Sequence, residues 1–297
     1  MTLRVATRRS PLALVQAELV QRRLFDHGVE SDLVLVDTRG DKDVLTDLSI
    51  LGGQGVFAVE IQRAVLAGDA DVAVHSAKDL PSITPDGLTL ASVPERLDAS
   101  DVLVGRSLAG LGPGATVATG SPRRRALLLE RRPDLQVVPL RGNMATRLAK
   151  AGQDGVDAVV AARAALERLE QLDVVSECLD PTWFIPQVGQ GALALEARSD
   201  DPTTRATLAL INDAVALLCV TAERAFLEEL GAGCSIPAGA FATVKGETLT
   251  LRGVMLEPDG TQSVRAELQG GDPHEIGSRL ARHLRDDLGG GAFVTGI

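Results

Sequence analysis

Aromatic residues are scarce in this chain, and tyrosine is absent. Phe, Trp and Tyr together make up 2% of the 297 residues, and the formal net charge is −10. Proteins that bind nucleic acid use aromatic side chains for base stacking and an excess of basic residues for phosphate contacts. We therefore predict that the chain has no nucleic-acid partner.

Cysteine is also scarce, and its spacing is unsuited to disulfides or metal binding. The three cysteines, Cys178, Cys219 and Cys234, include no CxxC pair and have no histidine at ligand spacing. Neither a disulfide framework nor a zinc site is indicated, so we expect no metal. Cys219 lies in an apolar run and is predicted to be buried. Cys234 stands in the small-residue stretch GAGCSIP, where a thiol adds little to a core.

Long apolar runs are missing as well. No segment reaches the length of a membrane span, and arginines interrupt the opening stretch MTLRVATRRSPLALVQ, where a secretory signal would be apolar. We therefore expect a cytoplasmic protein with no membrane partner. The length of 297 residues exceeds one typical core and predicts two or three domains.

The order of the predicted elements indicates an α/β fold. Strand patterns alternate with helical patterns near the start, and a second series of the same kind follows. This order predicts mostly parallel sheets in two lobes of similar build, which face one another across a cleft. The predicted strands are 3–6, 29–36 and 70–76 in the first lobe and 115–119, 135–139 and 156–162 in the second. The stretch 190–196 is predicted to return to the first sheet.

The last part of the chain changes character. A long helix over 214–230 is followed by three alternating strand patterns and a helix over 273–288, which predicts a small α+β domain. The predicted domains are lobe 1 (1–93 and 190–210), lobe 2 (94–189) and a C-terminal domain (211–297) that carries the cysteine loop.

Arginine supplies all but four of the 30 basic residues, and many arginines follow predicted strands. The carboxyl edge of an open α/β sheet is where ligands bind, and guanidinium groups suit carboxylates or phosphates. A single such arginine is usually a solvated surface charge, and codon usage explains a general excess. The positions favour a ligand with several negative groups. The set comprises Arg8, Arg123, Arg124, Arg141, Arg147 and Arg168.

A carboxylate follows the third predicted strand, in the stretch HSAKDLP. Asp79 lies next to Lys78, and among cations it would stay ionised and could stabilise a cationic intermediate or accept N–H groups. The residues alone fit equally well an aspartate that caps a turn before Pro81. The Cys234 thiol could be a nucleophile, for which His75 is the only candidate partner, or an attachment point.

Eight motifs together resemble those of the porphobilinogen deaminase family and occur in the family's order. They are ATRRSPLAL, TRGD, HSAKDLP, TGSPRRR, LRGNMATRL, VGQGALALE, VTAERAFL and GAGCSIP. The resemblance implies two lobes similar to periplasmic binding proteins and a third domain with a cysteine loop. It also implies a transferase that joins four porphobilinogens head to tail with loss of ammonia, and then releases hydroxymethylbilane.

The resemblance also implies a role for each matched residue. Cys234 would carry a dipyrromethane cofactor through a thioether, and Asp79 would be the catalytic carboxylate. The residues matched to cofactor contacts are Ser76, Lys78, Thr119, Ser121, Arg123 and Arg124; those matched to substrate contacts are Arg8, Ser10, Arg141, Arg147 and Arg168. A monomer is expected. The alternative is a non-catalytic two-lobed binding protein for a polycarboxylate, which would need neither Asp79 nor Cys234.

Two positions depart from the family pattern. Many members have a lysine where this chain has Gln54, in the stretch GGQG. Arg163 stands where small or apolar residues are usual, and it either adds a cation to the cleft or reaches solvent. The sequence leaves the roles of Gln54 and Arg163 open.

Overall fold

The structure is a computed structural model that describes residues 2–38, 58–231 and 236–294. Gln54 and Cys234 lie outside the described residues, as does the TRGD motif beyond Thr38. The chain forms two compact units. Unit 1 comprises Met1–Leu97 and Gly191–Val220, and unit 2 comprises Asp98–Gln190 and Thr221–Ile297.

Unit 1 is built on a five-stranded sheet. Its strands are β1 (Leu3–Arg8), β2 (Ser31–Val36), β3 (Val72–Ser76), β4 (Leu88–Ser92) and β10 (Leu193–Arg198), in the order β2-β1-β3-β10-β4. β1 pairs in parallel with β2 and β3, whereas β10 runs antiparallel to β3 and β4. The predicted return of the chain to this sheet is therefore confirmed. The prediction of a mostly parallel sheet is confirmed for four of the five strands, since β10 alone runs in the opposite direction.

Helix α1 (Pro11–Asp26) begins as the sequence predicts. The Ser10 hydroxyl accepts a hydrogen bond from the amide of Ala13 at 3.4 Å, and proline occupies the first turn. The buried face of α1 joins a core cluster with β1 and β3. The other helices of this part are α2 (Val59–Leu66), α6 (Pro202–Ala209) and α7 (Ala214–Glu229), whose first half belongs to unit 1.

Helix α7 contains Cys219, which is 5% exposed, so the predicted burial of this thiol is confirmed. In the part of the chain that the structure describes, no single helix is long and apolar enough to cross a membrane. The pair α6 and α7 meets that length and composition test jointly, but it is bent by 115°.

Unit 2 contains a second five-stranded sheet with the same pattern. Its strands are β5 (Asp101–Val104), β6 (Thr116–Ala118), β7 (Gln136–Val138), β8 (Ala158–Ala162) and β9 (Val175–Leu179), in the order β7-β6-β8-β5-β9. β6 is parallel to β7 and β8, and β5 is antiparallel to β8 and β9. The predicted similarity of the two sheets is confirmed. This sheet is also mixed, because β5 runs against β8. Its helices are α3 (Pro122–Arg131), α4 (Met144–Leu148) and α5 (Arg163–Arg168).

The rest of unit 2 is a three-stranded antiparallel sheet with a helix, as predicted. Its elements are β11 (Ala238–Lys245), β12 (Thr248–Leu256), β13 (Ser263–Gly270) and α8 (Pro273–Arg282), after which His283–Asp287 forms a wider π turn. Val254 and Leu256 of β12 belong to the same buried cluster as Leu127 and Phe184. Within unit 2 the small sheet and α3 therefore share one core. The boundaries of the three predicted domains stay a prediction.

Candidate active site

The carboxyl edge of the unit 1 sheet carries the predicted carboxylate. Arg8 ends β1, and Ser76 ends the parallel neighbour β3, so both lie at the same edge. A 3-10 turn, Ala77–Asp79, follows directly. The amide of Ala77 donates to the carbonyl of Ala192 at 3.0 Å, and the Ala77 side chain is buried. This anchor holds the turn while Asp79 stays half-buried.

A buried polar cluster lies just before that turn. The Nε2 atom of His75 is 3.2 Å from Oε2 of Glu196, and the Gln62 amide donates to the same oxygen at 2.8 Å. The side chain of His75 is 3% exposed and that of Glu196 is 1% exposed. His75 is thus enclosed in the unit 1 core, where it is unsuited to activate a thiol. The interpretation of Cys234 as a nucleophile loses its candidate base.

In unit 2 the start of α3 lies at the carboxyl edge of the sheet, directly after β6. The Ser121 hydroxyl accepts from the amide of Arg124 at 3.4 Å, and the Thr119 hydroxyl accepts from the amide of Ser121 at 3.2 Å. Pro122 occupies the first turn, as the Ser-Pro pair predicts. The free N–H groups of a helix start favour anions, so this edge suits a carboxylate ligand.

Arg123 and Arg124 are buried at this helix start, and they meet one carboxylate. Asp101 Oδ2 accepts from Arg123 Nη2 at 2.7 Å, and Oδ1 accepts from Arg124 Nη2 at 2.6 Å and Nε at 3.0 Å. Burial alone would raise the pKa of Asp101, but the charges and N–H groups of Arg124 and Arg123 outweigh it and hold the pKa well below its usual range. Asp101 therefore stays ionised.

Sequence reasoning missed Asp101 and its fourth donor, Gln190. The Gln190 amide donates to Asp101 Oδ1 at 2.9 Å and to the carbonyl of Ala99 at 2.7 Å. Asp101 is the first residue of a four-residue strand that was not predicted, so nothing in the sequence marked it as buried. The only available signal was an aspartate immediately before the apolar run VLV.

The loop after β7 positions two further predicted arginines. Helix α4 begins at Asn143, whose side-chain oxygen accepts from the amide of Thr146 at 2.9 Å. Arg147 Nε donates to the carbonyl of Gly142 at 2.7 Å, which turns its side chain back onto the loop. Gly142 has a φ of +101°, a conformation that favours glycine. Arg141 and Arg147 are both half-buried.

Arg168 is a buried cation at the end of α5, the helix that directly follows β8. The residue is 9% exposed, and burial lowers its pKa to about 10, against the opposing charge of Glu167. Burial of a guanidinium costs free energy, which its interactions with the surrounding groups must offset.

The structure gives contacts for Arg163, one of the two positions whose role the sequence left open. Its Nη1 lies 3.2 Å from the Cys178 sulfur, and its Nε lies 3.2 Å from Asp98 Oδ2. Arg163 therefore has partners within unit 2, and its side chain is 30% exposed, in line with the alternative that it reaches solvent.

The donor groups of unit 2 fit a ligand that carries carboxylates. Guanidinium groups, two hydroxyls and a helix start are gathered at one edge, and Arg123 Nε is buried with no hydrogen-bond partner among the described residues. Within those same residues, no group of three or more His, Cys, Asp or Glu side chains could hold a metal ion. The fold and the site thus define an α/β protein with cationic groups at the carboxyl edge of one sheet, a class that binds anionic ligands there.

Comparison with known proteins identifies the family. The family model "Porphobilinogen deaminase, dipyromethane cofactor binding domain" matches residues 3–206, and "Porphobilinogen deaminase, C-terminal domain" matches residues 217–286. The porphobilinogen deaminase of Syntrophotalea carbinolica is 44% identical over 95% of this chain and 92% of its own. That of Roseiflexus sp. is 44% identical over 99% of both chains. The chain belongs to the porphobilinogen deaminase family.

The predicted activity and cofactor are confirmed at the level of the family. The chain is a transferase of tetrapyrrole biosynthesis that acts on porphobilinogen and uses a dipyrromethane cofactor. Similar solved structures include the methionine-binding protein MetQ, with 14% identity, a TM-score of 0.44 and coverage of 73% of this chain and 92% of that one. The sulphonate-binding protein SsuA from Escherichia coli has 19% identity, a TM-score of 0.39 and coverage of 76% and 70%.

Proposed function

We propose that this enzyme carries its dipyrromethane cofactor on Cys234, through a thioether, and uses Asp79 as its catalytic carboxylate. The observation that supports the proposal most strongly is the buried cationic edge of unit 2. Arg123, Arg124 and Arg168 are 3%, 8% and 9% exposed. Arg123 and Arg124 share the single carboxylate of Asp101, which leaves one positive charge uncancelled at the start of α3 and supports an anionic ligand there.

The ligand chemistry matches this edge. Each porphobilinogen unit carries an acetate and a propionate, so a growing chain of pyrroles is a polyanion. Guanidinium groups bind carboxylates through charge-assisted hydrogen bonds, worth about 1.5–3 kcal/mol each. A row of such groups would hold successive rings of the same chain without any change in the chemistry of the contact.

We assign the remaining residues by their place in the fold and their match to the family motifs. Those that end a strand or start a helix would hold carboxylates or pyrrole N–H groups. The proposed cofactor contacts are Ser76, Lys78, Thr119, Ser121, Arg123 and Arg124; the proposed substrate contacts are Arg8, Ser10, Arg141, Arg147 and Arg168.

Asp79 is suited to a step in which positive charge develops. Its turn is anchored by the Ala77 amide, and its side chain remains half-buried on the carboxyl edge. An ionised carboxylate there would accept the N–H of a substrate pyrrole and stabilise the positive charge that forms as ammonia leaves. Because the carboxylate is fixed before the reaction, no reorganisation is needed at that moment.

The test compares two thiols in the full chain. Cys234→Ala should abolish the conversion of porphobilinogen to hydroxymethylbilane, because the attachment point is lost. Cys178→Ala is the matched control: Cys178 is exposed and lies outside the proposed site, so its variant should turn over normally. Full turnover by Cys234→Ala would rule out the anchor. Equal loss in both variants would mean that the effect is not specific to Cys234.

We further propose a cytoplasmic monomer with no nucleic-acid or membrane partner, organised in the three domains given above. The net charge of −10 and the aromatic content of 2% support the absence of nucleic-acid binding. Light scattering of the purified chain tests the monomer, for which a mass near 31.1 kDa is expected. A mass of twice that value would contradict it.

A further inference from the structure

Asp101 is the most deeply buried carboxylate at the cationic edge of unit 2, and no substrate or cofactor role is assigned to it above. It is 0% exposed and begins β5 opposite Ala162, the last residue of β8. Four N–H groups point at its two oxygens, from Arg123, Arg124 and Gln190. A carboxylate with this many donors is fixed in position and in charge.

The two arginines are each held at a second point. Arg124 Nη1 donates to the carbonyl of Val160 at 3.0 Å, and Arg123 Nη1 donates to the carbonyl of Ile185 at 2.6 Å. Arg123 also lies over the ring of Phe184, with 5.6 Å from the guanidinium carbon to the ring centre. Each guanidinium plane is therefore defined by Asp101 on one side and a backbone carbonyl on another.

Strand β11, which follows Cys234 in the sequence, packs close to Arg123. Gly239 on β11 is five positions after Cys234 in the sequence. A Cβ at Gly239 would lie 2.9 Å from the Ile185 carbonyl oxygen and 3.0 Å from Arg123 Cδ. The side chain of Arg123 thus touches the backbone of the small sheet as well as Asp101.

The cluster of Asp101, Arg123 and Arg124 carries a net positive charge. Two guanidiniums and one carboxylate leave one net positive charge, on side chains that are 3%, 10% and 0% exposed. One ligand carboxylate would neutralise that charge. The described contacts use three of the five N–H groups of Arg124, the more exposed of the two arginines.

We propose that Asp101 is the positioning residue of the cofactor site: its carboxylate aims Arg123 and Arg124 and cancels one of their charges, so that the pair accepts a single carboxylate of the dipyrromethane. The inference rests on the proposed assignment of these arginines to the cofactor. Among the described residues, Asp101 accepts from Arg123, Arg124 and Gln190, and it would act through the two guanidiniums.

The test is the cofactor content of Asp101→Asn in the full chain, measured by intact mass on the folded, monodisperse fraction. Asparagine cannot cancel a charge and presents its own N–H group to the guanidiniums. We expect the loaded fraction to fall about tenfold or more, the size associated with loss of one charge-assisted contact. Restricting the measurement to folded protein separates loading from stability, because a purely structural role would leave the folded molecules fully loaded.

Asp71→Asn in unit 1 is the matched control. Asp71 is also a buried carboxylate between two arginines, at 2.7 Å from Arg4 and 3.8 Å from Arg198, but it precedes β3 at the opposite edge of its sheet. Its variant should lose stability and keep normal loading. If folded Asp101→Asn is loaded like the wild type, or if Asp71→Asn loses the cofactor equally, the proposal is wrong.

A second variant covers the case in which Asp101→Asn does not fold. Gln190→Met removes one donor to Asp101 without changing any charge. Apo-protein of this variant should acquire the dipyrromethane several-fold more slowly when porphobilinogen is added, as followed by mass over time. An unchanged rate would overturn the proposal. Arg124→Leu distinguishes failure of the inference about Asp101 from failure of the proposed function. If this variant loads fully, the assignment of the arginines to the cofactor fails as well.

Discussion

The carboxyl edges of the two five-stranded sheets carry similar residues but expose them differently. In unit 1, Arg8 and Asp79 are half-buried. In unit 2, Arg123 and Arg124 are nearly enclosed, and Asp101 fixes both of them. Buried, doubly anchored guanidiniums suit a ligand that stays in place, whereas half-buried groups suit a ligand that must arrive and move on. We therefore expect Arg123 and Arg124 to serve mainly the retention of the cofactor, and Arg8 and Asp79 to serve mainly turnover.

The largest expected effect follows from removing a retaining group in unit 2. Arg124→Leu deletes three hydrogen bonds at the helix start. We expect purified protein without dipyrromethane and hence without activity, as measured by intact mass and by porphobilinogen consumption. Arg125→Leu is the control, since Arg125 is the next residue of the same helix, is exposed and donates to the carbonyl of Val137. A loaded, active Arg124→Leu would remove the distinction between the edges.

The next effect is confined to turnover in unit 1. Asp79→Asn keeps the shape of the side chain but loses its charge, and loss of such a stabilising group costs on the order of a hundredfold or more in rate. The variant should fold and carry its cofactor, because Asp79 is not part of a core. Asp86→Asn, on an exposed turn of the same unit, should be normal. Near-normal turnover by Asp79→Asn would contradict the assigned role.

A smaller effect is expected at the end of β1. Arg8→Leu should leave the cofactor in place and lower kcat/KM about tenfold, the loss of one carboxylate contact among several. Arg9→Leu is the neighbouring control, because Arg9 is exposed and pairs with Asp37 at 2.7 Å. Loss of the cofactor from Arg8→Leu would show that Arg8 also retains it, which would contradict the assignment of Arg8 to turnover.

The smallest effect concerns stability and pH. Burial would raise the pKa of Asp71, but the N–H groups and charge of Arg4 outweigh it and lower the pKa. The stabilisation is therefore present above the unfolded pKa of about 4 and is lost as the pH falls through the lower folded pKa. Asp71→Asn should lower the free energy of unfolding by about 1 kcal/mol at pH 7. A larger loss is not expected, because the Arg4 side chain is 45% exposed and solvent screens the ion pair. In urea unfolding the difference should vanish in acid; a constant difference down to pH 2 would contradict this.

Local signals in the sequence predicted much of the fold. The Ser-Pro pairs at Ser10 and Ser121 correctly marked two helix starts, because capping depends on residues three positions apart. The short strands β4, β5 and β9 were not predicted. The antiparallel directions of β5 and β10 were not predicted either, because pairing direction depends on partners far along the chain.

Dependence on partners far along the chain also limited the prediction of the candidate site. Positions after strands identified the arginines and Asp79, since topology alone brings strand ends to one edge. Asp101 could not be found this way, because its importance comes from contacts 22 and 23 residues away with Arg123 and Arg124. Glu223 is similar: it belongs to a family motif, yet its carboxylate accepts from the amides of Gly189 and Ala242 inside unit 2.

One measurement tests the central claim most directly: a peptide map of the purified, active wild-type enzyme by mass spectrometry. The account predicts two linked pyrrole rings on the peptide that contains Cys234, with Cys178 and Cys219 unmodified. A bare Cys234 in active enzyme, or the same modification on either of the other two cysteines, would contradict it.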